Sequence, residues 1–178
     1  MILNKTLLII LIFFIADLWV FTRYSLGNET QRREYIIKAS FILKFPAFIN
    51  WPIESSPMNL CVPSDDPYRN IWKALEKNTA NLVPFNFYDL KNYSNYGKCH
   101  ILFISGQKGQ IIERVVSMVR GKPVLVIGDT SGNLEKGVGI NFLIAENRVR
   151  FEINRKSLRA KNLKVSSELL GLAYRVLE

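Results

Sequence analysis

The chain has 178 residues, 48% of them hydrophobic, without low-complexity tracts or internal repeats, which excludes a disordered or solenoid protein and leaves one domain with a sizeable core. A net charge of +9 admits nucleic acid, an anionic lipid surface or an acidic protein as partner, although the basic residues are spread along the sequence. Two cysteines and a single histidine are too few for a zinc site, and no cofactor is expected.

Leu7 to Val20, LLIILIFFIADLWV, is an apolar run behind the basic start MILNK, with Arg23 close after it. This is the layout of a secretory signal, and the run is shorter than the roughly 20 apolar residues of a full span. Ser25 and Gly27 are small residues at the positions a signal peptidase inspects, but there is no clean Ala-x-Ala. Residues 1–27 therefore read as a signal peptide or an uncleaved N-terminal anchor, and 28–178 as the mature domain. Export makes nucleic acid a poor partner and favours a membrane surface or an acidic protein face.

The stretch YIIKASFILKFPAFINWP, residues 35–52, reads as an amphipathic core helix over 35–49. On a helical wheel Arg33, Ser40 and Lys44 lie on one side and Tyr35, Phe41, Ile42 and Phe45 on the other. Thr30 offers an approximate N-cap, and Pro46 disfavours continuation of the helix. Lys38 falls inside the apolar arc, four residues after Glu34. It reads first as a snorkelling side chain tied to Glu34, and alternatively as a lysine held for a partner.

Strand and helix then alternate. Met58–Val62 is a short strand, Tyr68–Glu76 a helix, and Leu82–Tyr88 an outer strand because Pro84 belongs on an edge. Cys99–Ser105 and Val124–Gly128 are buried strands separated by a helix over Gln110–Arg120. Gly139–Ala145 and Arg148–Ile153 flank Glu146-Asn147, a hairpin turn, and two helices, Asn154–Ala160 and Ser166–Val176, finish the chain. The pattern predicts an α/β fold: a three-layer α/β/α sandwich with a mostly parallel central sheet, an antiparallel edge hairpin and two C-terminal helices.

Ligands of such sheets sit beyond the carboxyl ends of the strands, where this chain carries PSDDP (63–67), SGQKG (105–109) and GDTSGN (128–133). Asp65, Asp66, Ser105 and Asp129 are the candidate ligand-binding residues there, although the aspartates read first as turn formers and helix caps. There is no GxGxxG and no Walker lysine. A hydrolase triad would need His100, beside Cys99 at the mouth of an apolar strand, where a structural role is favoured. No catalytic residues are assigned. Cys61 and Cys99, an even count in an exported chain, favour a disulfide, with two buried thiols as the alternative.

The blocks KASFILKFPAFINWP (38–52), LCVPSDDP (60–67), KCHILFIS (98–105), KPVLVIGD (122–129), GVGINFLIAENRVRFEIN (137–154) and LKVSSELLGLA (163–173) resemble, in order, those of the YfiR family. The resemblance covers about residues 34–175. It implies a periplasmic, non-enzymatic protein that represses a membrane diguanylate cyclase by binding its periplasmic sensor region, which lowers cyclic di-GMP signalling and biofilm formation. It further implies an OmpA-like lipoprotein as a sequestering partner and a homodimer, and Cys61 and Cys99 match the family's paired cysteines in position. The second cysteine pair of some members has no counterpart here. A regulator without chemistry works by binding one state of its partner more tightly than another. The apolar helix with Trp51 is expected as an anchor, Lys38 as a partner-binding lysine, and Arg148 and Arg150, in the basic stretch running to Lys164, as a steering face. A core role for Trp51 is the alternative. The rival function is a periplasmic small-ligand sensor at the strand ends, or a binding domain for another membrane signalling protein.

Overall fold

Two four-residue runs, ILFI and LVIG, are buried at every position and form the centre of the sheet, as continuous apolar strands covered on both faces should. The computed structural model describes residues 29–52, 56–76, 83–91, 96–106 and 110–178. The leader, Leu82 and residues 107–109 of the SGQKG loop lie outside the described residues. The chain divides into two units, Met1–Ile36 and Ile37–Glu178. In the first, residues 29–36 are helical and Arg33 pairs with Glu29 at 3.1 Å. Thr30 thus lies within the helix, not at a cap.

In the second unit, helix α1 covers residues 37–44 and tightens into a 3-10 turn over Phe45–Phe48, with Pro46 in its first turn where no amide hydrogen is needed. The wheel reading holds: Ser40 and Lys44 are exposed while Ile42 and Phe45 are buried. The remaining elements are β1 (Ile49–Asn50), β2 (Met58–Pro63), α2 (Arg69–Glu76), β3 (Phe85–Leu90), β4 (Ile101–Ile104), α3 (Gln110–Met118), β5 (Leu125–Gly128), β6 (Ile140–Ala145), β7 (Arg148–Asn154), α4 (Arg155–Arg159), β8 (Lys164–Val165), α5 (Ser167–Leu172) and β9 (Arg175–Leu177).

Seven strands form one sheet in the order β3-β2-β4-β5-β6-β7-β9, and β1 pairs with β8 apart from it. The first five of these run parallel, β7 returns antiparallel to β6, and β9 lies parallel to β7. Glu146 and Asn147 carry φ of 51° and 57°, the left-handed pair that a two-residue hairpin turn of this twist requires. β3 is an outer strand, as Pro84 implied. The last helix, however, stops at Leu172: Ala173 turns extended and residues 175–177 add a strand beyond the hairpin.

The two faces of the sheet differ. On one, the Phe41 and Phe45 rings of α1 and its turn lie 5.3–6.1 Å from those of Phe142 and Phe151, and Trp72 of α2 meets Phe103 edge-on at 5.7 Å. On the other, Ile112, Val115 and Val119 of the α3 segment pack with Cys61, Leu102, Ile104 and Val126. Cys61 and Cys99 are joined in a disulfide 38 residues apart in sequence, which ties α2 and β3 to the middle of the sheet. A loop of that length is worth about 4 kcal/mol through restriction of the unfolded chain.

Candidate functional site

The connections after β2 and β4 leave in opposite directions, β2 through α2 to β3 and β4 through α3 to β5. The crevice between their carboxyl ends is where sheets of this kind place ligands. On the β2 side, the Asp66 carboxylate accepts from the Tyr68 amide at 2.8 Å and its carbonyl from the Arg69 amide, so this aspartate shapes the turn into α2. Ser64 donates through Oγ to the Leu90 carbonyl at 3.1 Å. Asp65 is exposed.

On the β4–β5 side the arrangement departs from the turn-former reading. Asp129 follows the last residue of β5, and its side chain is only 6% exposed. Oδ2 accepts from Lys38 Nζ at 2.9 Å and from Ser105 Oγ at 2.8 Å, while Oδ1 accepts from the Gly106 amide at 2.7 Å. Ser105 and Asp129 are thus brought together. Lys38, expected on a docking face, is drawn from α1 into this cluster with 9% of its side chain exposed, and it bridges to a carboxylate 91 residues away. A buried ion pair holds only when hydrogen bonds satisfy the rest of each ion, and here the carboxylate receives three donors. Gly128 precedes it because a Cβ there would stand 3.0 Å from Asn141 Oδ1.

Beside Asp129 lies a cavity of about 580 Å³, whose walls include Ser131, Gly132, Asn141, Glu152 and Arg175. Arg175 of β9 closes one side by donating to Glu152 and Glu135, each at 2.6 Å. Its hydrogen bond holds the Glu135 carboxyl below the usual range. Asn141 Oδ1 is buried without a hydrogen-bond partner among the described residues. Asp65 and Asp66 do not line this cavity.

His100 is structural in geometry. Its Nδ1 accepts from the Asn59 amide at 2.8 Å, which fixes the neutral tautomer, and burial lowers its pKa from 6.5. No group of three or more potential metal ligands occurs among the described residues.

The expected docking residues are separated in the fold. Trp51 follows β1, half-buried, with an indole Nε1 that is buried and has no hydrogen-bond partner among the described residues. Arg148 is exposed at the start of β7, and Arg150 is half-buried with an Nη2 3.7 Å from Glu146. The basic stretch is divided among a strand, a helix and a turn: Arg155 and Arg159 both pair with Glu178, and Lys161 is buried. The exposed large apolar residues include Ile144, Leu172 and Tyr174, at 52–60% exposure. The Tyr174 amide donates to the Phe151 carbonyl, and Phe151 pairs with Phe142 two residues before Ile144, so these residues flank one end of the β6–β7–β9 ladder. Ile144 lies two residues from Phe142 and so shares its face of the strand. It is exposed because Phe41 and Phe45 pack on Phe142 and Phe151, and Ile144 lies beyond them in the strand.

Among the described residues no helix is long and apolar enough to cross a membrane. No curated protein matches the chain. The family described as YfiR/HmsC-like matches residues 35–174, which takes in the α1 helix, the disulfide, the strand-end cluster and α5. The chain therefore belongs to the YfiR/HmsC-like family, whose members are periplasmic, non-catalytic regulators of diguanylate cyclases.

Proposed function

We propose that this chain is an exported repressor that docks on the periplasmic sensor region of a membrane diguanylate cyclase and holds it in its inactive state, with residues 1–27 directing export. The family match over 35–174 carries this reading. It gains support from the strand-end polar groups, Asp66 in its turn and Asp129 in its cluster, which are engaged in holding the fold together. Docking is assigned to exposed apolar side chains, Ile144, Leu172 and Tyr174, with Arg148 as the nearby steering charge and Trp51 as an anchor.

Co-purification of the full chain with the membrane cyclase, together with cyclic di-GMP levels after deletion of the gene, tests this. Repression predicts a complex and a rise in cyclic di-GMP; an unchanged level with no complex rejects it. Exchange of Trp51 for Ala separates anchor from core. Lost stability with intact affinity rejects the anchor role. A second reading, a periplasmic small-ligand sensor, is favoured by the cavity beside Asp129 and is compatible with repression.

A further inference from the structure

A second cavity, of about 470 Å³, opens between the end of α3 and the α4–β9 segment, on a part of the molecule that the docking reading does not use. Val116, Ala160 and Leu177 give it apolar walls, and Arg120, Lys156 and Lys161 contribute three cations. Its two acids are already matched: Glu135 by Arg175 at 2.6 Å, and Glu178 by Arg155 at 2.8 Å. Lys161 differs from the other cations. It is 3% exposed, and its Nζ is buried without a hydrogen-bond partner among the described residues. An ammonium in that condition lacks both water and a counter-ion, so a turn of the flexible lysine side chain toward the cavity, to meet a bound anion, gains a charge-assisted contact. Ser157 and Asn154, which also line the cavity, are committed elsewhere: Ser157 Oγ donates to the Gly137 carbonyl, and Asn154 bonds to the Leu134 carbonyl and the Ser157 amide. The one unsatisfied polar atom identified in the walls is therefore a cation.

We propose that this cavity binds a small organic monocarboxylate with an apolar body, its carboxylate paired with the Lys161 ammonium and its body lying along Val116, Ala160 and Leu177. One anionic charge matches the one buried, unpartnered cation of the walls, Lys161, and the apolar walls favour a hydrocarbon or aromatic body over a compact dianion. The site is independent of the cyclase, and so is its test.

Isothermal titration of the full chain at neutral pH would use octanoate as the probe, octan-1-ol as the same body without charge, and inorganic phosphate as charge without body. The proposal expects saturable one-to-one binding of octanoate, at least about tenfold tighter than either control. Lys161→Met, which removes a buried unpaired charge and so preserves the fold, weakens octanoate about tenfold or more. Ala160→Phe, which fills the cavity and leaves the charge, abolishes binding, and Lys161→Arg retains it in part. Octanoate also raises the thermal midpoint of the wild-type chain and leaves that of Lys161→Met unchanged. Equal octanoate affinity in wild type and Lys161→Met, absence of saturation in the folded wild-type chain, or phosphate binding as tightly as octanoate would each overturn the proposal.

Discussion

Among the described residues two lysines are buried, and they are treated in opposite ways. Lys38 reaches Asp129 at 2.9 Å in a cluster where Ser105 and the Gly106 amide supply further donors. Lys161, equally hidden, has an Nζ without a hydrogen-bond partner among the described residues, and burial lowers its pKa from 10.5 to about 8. The first is a structural clasp between α1 and the ends of the central strands. The second carries an uncompensated desolvation cost, of the kind that proteins retain where a group has work to do. Burial of a lysine is therefore no guide to its role until its partners are counted.

Removal of Lys38 should produce the largest effect. Lys38→Met leaves the Asp129 carboxylate buried without its counter-ion and is expected to cost about 3–5 kcal/mol in chemical denaturation. Lys161→Met is expected to move stability the other way, by on the order of 2–3 kcal/mol at neutral pH, because it deletes the desolvated charge. The same variant sharpens the contrast by its pH profile. The folded pKa near 8 lies below the unfolded 10.5, so the unfolded state binds more protons in that window. Wild-type stability should rise as pH climbs from about 8 to 10.5, and the Met variant should lack that rise; parallel profiles would show that Lys161 is not desolvated in solution.

A smaller effect should follow when Asp129→Asn is added to Lys38→Met. The neutral amide no longer needs a cation, so the double variant is expected to recover about 1 kcal/mol or more of the loss, whereas simple additivity of the two losses would show that no ion pair couples the sites. The smallest effect concerns His100. Its folded pKa lies below 6.5, so its contribution is complete above that value and is lost as pH falls through it, when Nδ1 gains a proton and can no longer accept from Asn59. Urea titrations at pH 7 and pH 5 should show a stability loss in wild type that His100→Asn reduces; an identical loss in both would remove His100 as its source.

Much of the architecture was legible because it rests on local signals. CHILFIS and VLVIG could hardly be anything but interior strands, the Glu146-Asn147 turn set the hairpin, and Asn154 and Ser166 cap their helices through side-chain oxygens that accept from Ser157 and Leu169. Local patterns failed where distant partners decide. Leu172 to Val176 continues a helical pattern, yet Arg175 is held by Glu152 and Glu135, 23 and 40 residues away, and the backbone goes extended to reach them. Glu34 stood at the right spacing to explain Lys38, and nothing in the sequence points across 91 residues to Asp129. Lys161 looked like one more charge in a basic stretch because burial among neighbours from α3 and β9 leaves no mark in the order of residues. The docking surface was the least legible, since exposure of Ile144 depends on where the covering rings of Phe41 and Phe45 stop.

The three residues of β9 also bear on how much of the sheet's edge is left open. They pair with Glu152–Asn154 on the outer flank of β7, a seven-residue strand, and so cover that part of a row of amides and carbonyls otherwise open to any similar ribbon. A version cut before Arg175 would expose that adhesive rim, and the first symptom would be clumping through strand exchange, ahead of any lapse in signalling.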